Sequence, residues 1–225
     1  MKNIIIATIH SWNIKLTQEF ASSKAGEVHI ITEKENLTLE KLKLLKPEYI
    51  FFPHWSWIIP SEIYENFNCI VFHMTDLPFG RGGSPLQNLL ERKIYKTKIS
   101  AIKCSKVLDG GDIYLKRDFD ISNGSAQEIH ERAAKIVFEM INEILQTNPI
   151  PVPQTGEIIE FKRRNPKQSD ISNLNDLESV FNYIRMLDAP NYPHAFIECG
   201  NLRYEFFNVV KDGDKLKAEV SIFQL

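Results

Sequence analysis

The 225-residue sequence is poor in cysteine and has no large excess of either charge. Its three cysteines include no CxxC pair, so they indicate neither a disulfide framework nor a cysteine metal site. We therefore expect reduced, mostly buried thiols in a cytoplasmic protein. The formal net charge is −2, whereas proteins that bind nucleic acid usually carry a basic excess. No nucleic acid is expected among the partners.

Long apolar runs are also missing. No stretch approaches the ~18 apolar residues needed to cross a bilayer, so no membrane partner is expected. Residues 4–9 form a mostly apolar run that is too short for a secretory signal and is typical of a buried strand. Hydrophobic residues make up 43% of the chain and charged residues 25%, which are the proportions of a folded globular protein.

The first half of the chain alternates strand-like and helix-like segments. Its strand-like runs are apolar without alternation, which is typical of parallel strands that are covered on both faces. These runs are residues 3–9, 28–32, 49–53 and 69–73. Helical spacing lies between them, so we predict an α/β fold. Its core is a doubly wound parallel sheet of the Rossmann-like kind, followed by a small α+β C-terminal extension.

The second half supplies the predicted domain boundary. Ser125 and Glu128 form a capping box that predicts the start of a long amphipathic helix. Three prolines in residues 147–153 then interrupt the pattern. We therefore predict a catalytic domain over residues 1–150 and a small extension over residues 151–225, with a strand, a helix and a β-hairpin. The hairpin also makes a homodimer possible, through a sheet shared between two copies.

Three histidines follow predicted strands: His10, His54 and His73. Ligands bind at the carboxyl ends of the strands in open parallel sheets, so three imidazoles there favour a site over ordinary packing. Three histidines with Asp109 could also hold zinc. However, the sequence has no HxH, HExxH or CxxC spacing, so we expect no metal.

The motifs after the fourth strand resemble those of a known family. Residues 71–85 are Val-Phe-His-Met-Thr-Asp-Leu-Pro-Phe-Gly-Arg-Gly-Gly-Ser-Pro. They resemble the Asn-x-His-x-Ser-x-Leu-Pro-x-x-Arg-Gly-x-x-Pro stretch of the folate-dependent formyltransferases. Leu108-Asp109-Gly110-Gly111 is similar to the family's Leu-Asp-x-Gly loop, and its distance from His73, 109 − 73 = 36 residues, is similar too. Residues 163–166 and 184–196 resemble the pattern that methionyl-tRNA and nucleotide-sugar formyltransferases carry after their catalytic domain.

The resemblance implies transfer of a formyl group from N10-formyltetrahydrofolate to an amine. By that resemblance His73 is the catalytic base, because an attacking amine must lose a proton. Asp109 would hold the imidazole and stabilise its charged form. The formyl donor would bind along two loops, at Trp57, Ile58, Ile59, Lys106, Val107, Leu108 and Gly110. Candidates for contact with the acceptor are Arg81, His10, His54 and Thr75.

One position departs from the family pattern. Valine stands at position 71, where the formyltransferases have an asparagine. Valine cannot donate a hydrogen bond, and the loss of one donor to a developing oxyanion typically costs about 10²–10³ in rate. Candidate replacements for the missing donor are His54, Thr75, Asn88 and a protonated His73.

The acceptor is inferred by elimination. The sequence shows neither the larger barrel with which methionyl-tRNA formyltransferases hold tRNA nor a basic excess. Its extension resembles none in the glycinamide ribonucleotide formyltransferases. We therefore expect a nucleotide-linked amino sugar, whose diphosphate would lie near residues 80–83 or Lys162-Arg163-Arg164. Two alternatives stay open: a metal-dependent hydrolase at the three histidines, and a non-catalytic protein that binds folate or a nucleotide sugar.

Overall fold

The structure, a computed structural model, describes residues 3–22 and 26–225. It is a mixed α/β fold in which parallel strands dominate the central sheet, so the predicted fold class is confirmed. The strands are β1 (Ile4–Ala7), β2 (Val28–Ile31), β3 (Tyr49–Phe52), β4 (Cys69–His73), β5 (Phe79–Gly82), β6 (Lys96–Lys103), β7 (Ile113–Asp120), β8 (Ile159–Phe161), β9 (Ala195–Cys199), β10 (Leu202–Asp212) and β11 (Lys215–Gln224). The helices are α1 (Ser11–Ser22), α2 (Leu39–Leu45), α3 (Ser61–Tyr64), α4 (Pro85–Glu91), α5 (Ala126–Thr147) and α6 (Leu177–Arg185).

Six strands form the central sheet in the order β2-β1-β3-β4-β6-β7. The strands β2, β1, β3 and β4 pair in parallel, and every residue of β1 and β3 is buried. Burial on both faces explains why these strands show no alternation in sequence. β6 pairs antiparallel to β4, with Ser100 opposite His73, a detail that the composition of a strand does not encode.

One apolar cluster supports the strand that ends in His73. Side chains from four neighbouring strands are buried in it, including those of Ile5, Ile50 and Cys69. Val71 packs against this cluster from β4. Fully burying an aliphatic side chain contributes roughly 1.5–3 kcal/mol, so β4 is firmly held. His73 therefore lies at the end of a rigid strand.

Internal contacts divide the chain into two units that are interleaved in sequence. The first contains the residues up to Arg81 together with Lys98–Phe119 and Glu131–Glu160. The second contains Gly82–Thr97, Asp120–His130 and Phe161–Leu225. His73 and Asp109 belong to the first unit. The predicted domain boundary at residue 150 stays a prediction.

The second unit contains a three-stranded sheet in the order β11-β10-β9. β10 and β11 form the predicted hairpin, and Gly213 in its turn takes a positive φ of 63°. α6 begins after Asp176, whose side chain accepts a hydrogen bond from the backbone N–H of Ser179. β9 was not predicted, since its sequence Ala-Phe-Ile-Glu-Cys is neither an unbroken apolar run nor a regular alternation.

Two helix starts differ in how their first turns are capped. The capping box is confirmed, because Ser125 N donates to Glu128 Oε2 (2.8 Å) and Glu128 N donates to Ser125 Oγ (3.3 Å). α4 begins at Pro85, and the side chain of Ser84 makes no capping hydrogen bond to it. Instead Ser84 has a left-handed backbone, and its Oγ accepts a hydrogen bond from the backbone N–H of Arg164. In the described part of the chain, no helix is long and apolar enough to cross a membrane.

The three cysteines carry free thiols, as expected. Cys69 is buried and Cys104 is half-buried, and burial raises the pKa of both thiols, that of Cys104 to about 11. Both thiols are therefore protonated and poorly reactive near neutral pH. Cys199 is exposed, so the expected burial holds for Cys69 and in part for Cys104 but not for this thiol.

Candidate active site

His73 is the last residue of β4 and is 8% exposed. Its Nε2 lies 2.7 Å from the carbonyl oxygen of Gly80. A carbonyl oxygen only accepts hydrogen bonds, so Nε2 carries the hydrogen and donates it. The other ring nitrogen, Nδ1, lies 3.6 Å from Oδ2 of Asp109. The ring is therefore fixed through Nε2, and Nδ1 is the nitrogen that can accept a proton.

Asp109 comes from the loop between β6 and β7. Its side chain is 15% exposed, and its backbone has a positive φ of 51°. Residues other than glycine rarely adopt this conformation, and those that do cluster at functional sites. The separation of 3.6 Å from Nδ1 is longer than a hydrogen bond, yet close enough for the carboxylate to stabilise an added proton. The pair can therefore hold a positive charge on the ring.

The carbonyl oxygen of Gly80 also accepts a hydrogen bond from Oγ1 of Thr75, at 3.4 Å. Ser100 Oγ in turn donates to the backbone oxygen of Thr75, at 2.8 Å. Thr75 is completely buried. The Thr75 hydroxyl, a candidate for contact with the acceptor, thus faces the loop that fixes His73.

Arg81 and Gln154 connect this loop with the loop of Asp109. Arg81 donates from Nε (3.1 Å) and from Nη2 (2.7 Å) to Oε1 of Gln154. Nε2 of Gln154 donates to the backbone oxygens of Asp109 and Gly111, at 2.8 Å each. Sequence reasoning missed Gln154 because it belongs to neither motif. Its only signal is its position just after a proline-containing segment.

Gly111 has no room for a side chain, since a Cβ there would lie 1.7 Å from the backbone oxygen of Lys103. We expect Gly111→Ala to lower the free energy of unfolding by about 3 kcal/mol or more, because backbone must move to accept the methyl group. Urea unfolding followed by circular dichroism measures the loss. Gly200→Ala is the control, since a Cβ there would meet no atom within 4 Å and its positive φ of 58° costs only about 1–2 kcal/mol. Equal midpoints for Gly111→Ala and wild type would contradict this geometry.

His10 and His54 form an aromatic cluster with Trp12. The ring centroids of the two histidines are 4.0 Å apart, and His10 stacks on Trp12 at 4.6 Å. His73 contacts Gly80 and Asp109 instead. Within residues 3–22 and 26–225, no group of three or more His, Cys, Asp or Glu side chains has the arrangement to hold a metal ion.

Burial lowers the pKa of His10 below its usual value of 6.5. The unfolded chain therefore takes up a proton at this residue at a higher pH than the folded protein does. The neutral ring of His10 stabilises the folded protein relative to the unfolded chain. This stabilisation is complete above pH 6.5 and is lost as the pH falls toward the lowered pKa. We expect the urea midpoint to fall between about pH 7 and pH 5 in the wild type and to fall less in His10→Gln. His29→Gln is the control. The same pH dependence in the wild type and in both variants would refute the assignment of this loss of stability to His10.

The two loops assigned to the formyl donor present apolar side chains. Ile58 is 80% exposed, and Val107 and Leu108 are 58% and 60% exposed. Exposed apolar groups of this size often mark a surface that binds a ligand or partner. Of the other assigned residues, Ile59 is buried, Lys106 is exposed and Gly110 is half-buried. A cavity of about 290 Å³ is lined by Trp57 and Ile58 together with Lys34, Glu35, Leu37, Trp55 and Pro60.

Known proteins match both the sequence and the fold of this chain. A family model described as "Methionyl-tRNA formyltransferase, C-terminal domain" matches residues 166–223. A solved structure of a methionyl-tRNA formyltransferase from Clostridium thermocellum is 56% identical, with a TM-score of 0.97 and coverage of 100% of both chains. The chain belongs to the formyltransferase family.

Two further proteins are less similar to this chain. The methionyl-tRNA formyltransferase of Thermodesulfovibrio yellowstonii is 29% identical over 159 residues, which are 68% of this chain and 52% of that protein. The chain spans about half the length of the curated relatives it matches. HypX from Aquifex aeolicus, solved in complex with tetrahydrofolic acid, shares the fold at 18% identity and a TM-score of 0.77, over 92% of this chain and 38% of that chain.

Position 71 is where this chain departs from its family's pattern. The side chain of Val71 packs against the apolar cluster and so contributes to the hydrophobic core. Two of the candidate replacement donors, Thr75 and Asn88, already donate to backbone oxygens. For Thr75 the acceptor is Gly80, and for Asn88 Nδ2 the acceptors are Gly83, Ser84 and Lys162. Both side chains therefore hold loops of the chain in place.

The basic cluster at residues 162–164 is partly structural. The side chain of Arg164 is only 7% exposed, and its Nη1 lies 2.6 Å from Oε2 of Glu91. Its guanidinium also lies over the ring of Tyr183, 5.1 Å from the centroid. Lys162 and Arg163 are exposed. They are the two members of the cluster that are open to an anionic group.

Proposed function

We propose that this chain transfers a formyl group from N10-formyltetrahydrofolate to an amine. The observation that carries the proposal is the pair of His73 and Asp109. One ring nitrogen is fixed by Gly80, and the other lies 3.6 Å from the carboxylate and is oriented to take a proton. The same two residues stand in the two motifs that resemble the formyltransferase pattern.

The attacking amine must lose a proton as its nitrogen bonds to the formyl carbon. Nδ1 of His73 accepts that proton, and Asp109 stabilises the positive charge that results. Bound formyl-folate supplies the formyl carbon and a leaving nitrogen, which needs a proton when its bond to that carbon breaks. His73 delivers the proton to that nitrogen, so the ring ends the cycle as it began.

The formyl donor is assigned to the two loops with exposed apolar side chains. The exposed side chains of Ile58, Val107 and Leu108 suit the flat ring of a folate. Binding removes their apolar surface from water, and this burial is favourable by roughly 25 cal/mol of free energy per Å². The cavity of about 290 Å³ beside Trp57 adds a concave surface at one of these loops. These features support the assignment of the folate to this part of the first unit.

Two kinds of amine are candidates for the acceptor. The names of the relatives support an aminoacyl-tRNA, whose free α-amine is the nucleophile, and this is our first candidate. The net charge of −2 favours instead a nucleotide-linked amino sugar and no nucleic acid, and this is the second candidate. Arg81 is the residue that we assign to contact with the acceptor, because Gln154 fixes its guanidinium beside Asp109.

An isotope-labelled formyl donor and a panel of amines test the acceptor. The panel contains methionyl-tRNA, the same tRNA without its amino acid, and nucleotide-linked amino sugars. We expect a labelled amide on methionyl-tRNA and none on the uncharged tRNA, which lacks the α-amine. Label on an amino sugar alone would overturn the first candidate in favour of the second.

The same assay separates the two alternatives to formyl transfer. A metal-dependent hydrolase would lose activity when a chelator is added, whereas formyl transfer is expected to continue at an unchanged rate. A non-catalytic binding protein would bind formyl-folate and yet form no labelled amide with any amine of the panel.

A further inference from the structure

The side-chain amide of Gln154 has a partner for each of its hydrogen-bonding positions. Its oxygen accepts from Nε and Nη2 of Arg81, and its nitrogen donates to the backbone oxygens of Asp109 and Gly111. A primary amide offers two acceptor and two donor positions, and all four are used here. A carboxylate has no donor and an ammonium group has no acceptor, so the arrangement is specific for glutamine in length and chemistry.

The two bonded carbonyl groups stand on either side of Gly110, so Gln154 holds the turn that presents Asp109. The left-handed backbone of Asp109, with its φ of 51°, costs about 1–3 kcal/mol unless the surroundings hold it. Arg81, on the other side of the amide, directly follows Gly80, whose oxygen fixes His73. Gln154 thus joins the two loops that hold the members of the His73–Asp109 pair.

We propose that Gln154 is a positioning residue that sets the Asp109 carboxylate against Nδ1 of His73 and fixes the guanidinium of Arg81. The proposal rests on the proposed function, because the pair matters only if His73 moves a proton. Gln154 acts through Asp109 and Arg81 and touches neither reacting group. Its loss therefore lowers the rate of transfer while the fold stays intact.

Two substitutions at Gln154 distinguish the accepting oxygen of the amide from its donating nitrogen. Gln154→Glu keeps oxygens for Arg81 but brings a carboxylate against two carbonyl oxygens, whereas Gln154→Met keeps the length and loses every hydrogen bond. We expect kcat to fall about 10- to 10²-fold in both variants, since small displacements of a catalytic group have effects of this size. The KM for the acceptor rises in Gln154→Met alone, because Gln154→Glu still holds Arg81. Gln18→Met, on the exposed face of α1, is the control and keeps both constants.

A double-mutant cycle tests whether Gln154 acts through Asp109. In the Asp109→Asn background we expect Gln154→Met to lower kcat by less than about threefold, because both changes disable the same carboxylate. Fully additive losses would overturn the proposal. A wild-type kcat with a lowered urea midpoint in both Gln154 variants would give the residue a structural role and would overturn it as well.

NMR of protein with ¹⁵N-labelled histidine separates this proposal from the proposed function. We expect the Nδ1 resonance of His73 to move in both Gln154 variants and to stay in place in Gln18→Met, whether or not transfer is detected. An unmoved resonance overturns the positioning role even if the wild type transfers formyl groups. A moved resonance in a protein that transfers none supports the positioning role and overturns the proposed function.

Discussion

Replacing His73 by alanine is expected to lower the rate of formyl transfer by about 10³-fold while the protein stays folded. The change removes the Nδ1 that accepts the proton and the Nε2–H that donates to Gly80. Folate binding is expected to change little, because the apolar donor loops keep their side chains. Single-turnover transfer gives the rate, and fluorescence titration with tetrahydrofolate gives the binding constant.

A second variant excludes a purely structural explanation of that loss. His73→Gln keeps a donor for the oxygen of Gly80, but an amide cannot take up the proton, so its rate is expected to fall equally. His29→Ala, in β2, is the matched control and keeps the wild-type rate. A rate in both His73 variants within about tenfold of the wild type would mean that another group accepts the proton.

Asp109→Asn is expected to lower the rate by about 10²-fold, the second large effect. The amide has the size of the carboxylate but no charge, so a positive charge on His73 loses its partner 3.6 Å away. The backbone of the loop keeps its hydrogen bonds to Gln154, and the fold is preserved. Single-turnover assays across a range of acceptor concentrations measure the loss in kcat apart from any change in KM.

Asp118→Asn, in β7, is the matched control for that substitution. Its carboxylate is 91% exposed and pairs with Lys98 at 2.9 Å, and exposed pairs of this kind contribute about 0–1 kcal/mol. We expect it to leave the rate unchanged. Combining Asp109→Asn with His73→Ala should cost no more than His73→Ala alone, because both residues serve one proton transfer. Additive losses in the double variant would argue against a shared role.

The sequence predicts those strands of the central sheet whose complete burial requires apolar residues along their whole length. β1 and β3 are buried along their whole length, so each is an unbroken apolar run. β5 gives no such signal, because two of its four residues are glycine and its pairing with β8 depends on the tertiary fold. Periodicity therefore identifies strands that the core demands and misses those that a loop forms.

The residues of the candidate site likewise differ in how far the sequence reveals them. His73 and Asp109 stand in recognisable motifs, and the structure brings their side chains to 3.6 Å. Gln154 is 45 residues from Asp109 in sequence, and its role depends on a spatial proximity that no local pattern encodes. At position 71 the valine is readable from the sequence, but its packing against the apolar cluster is a property of the fold.

The most direct test of formyl transfer by the His73–Asp109 pair is a rapid-quench single turnover. Excess wild-type protein is mixed with labelled N10-formyltetrahydrofolate and methionyl-tRNA or a nucleotide-linked amino sugar, beside His73→Ala and Asp109→Asn. We expect label to pass from folate to an amide in the wild type and the rate to fall about 10³-fold and 10²-fold in the two variants. Bound folate that keeps all of its label in the wild type, or equal rates in the three proteins, would contradict this expectation.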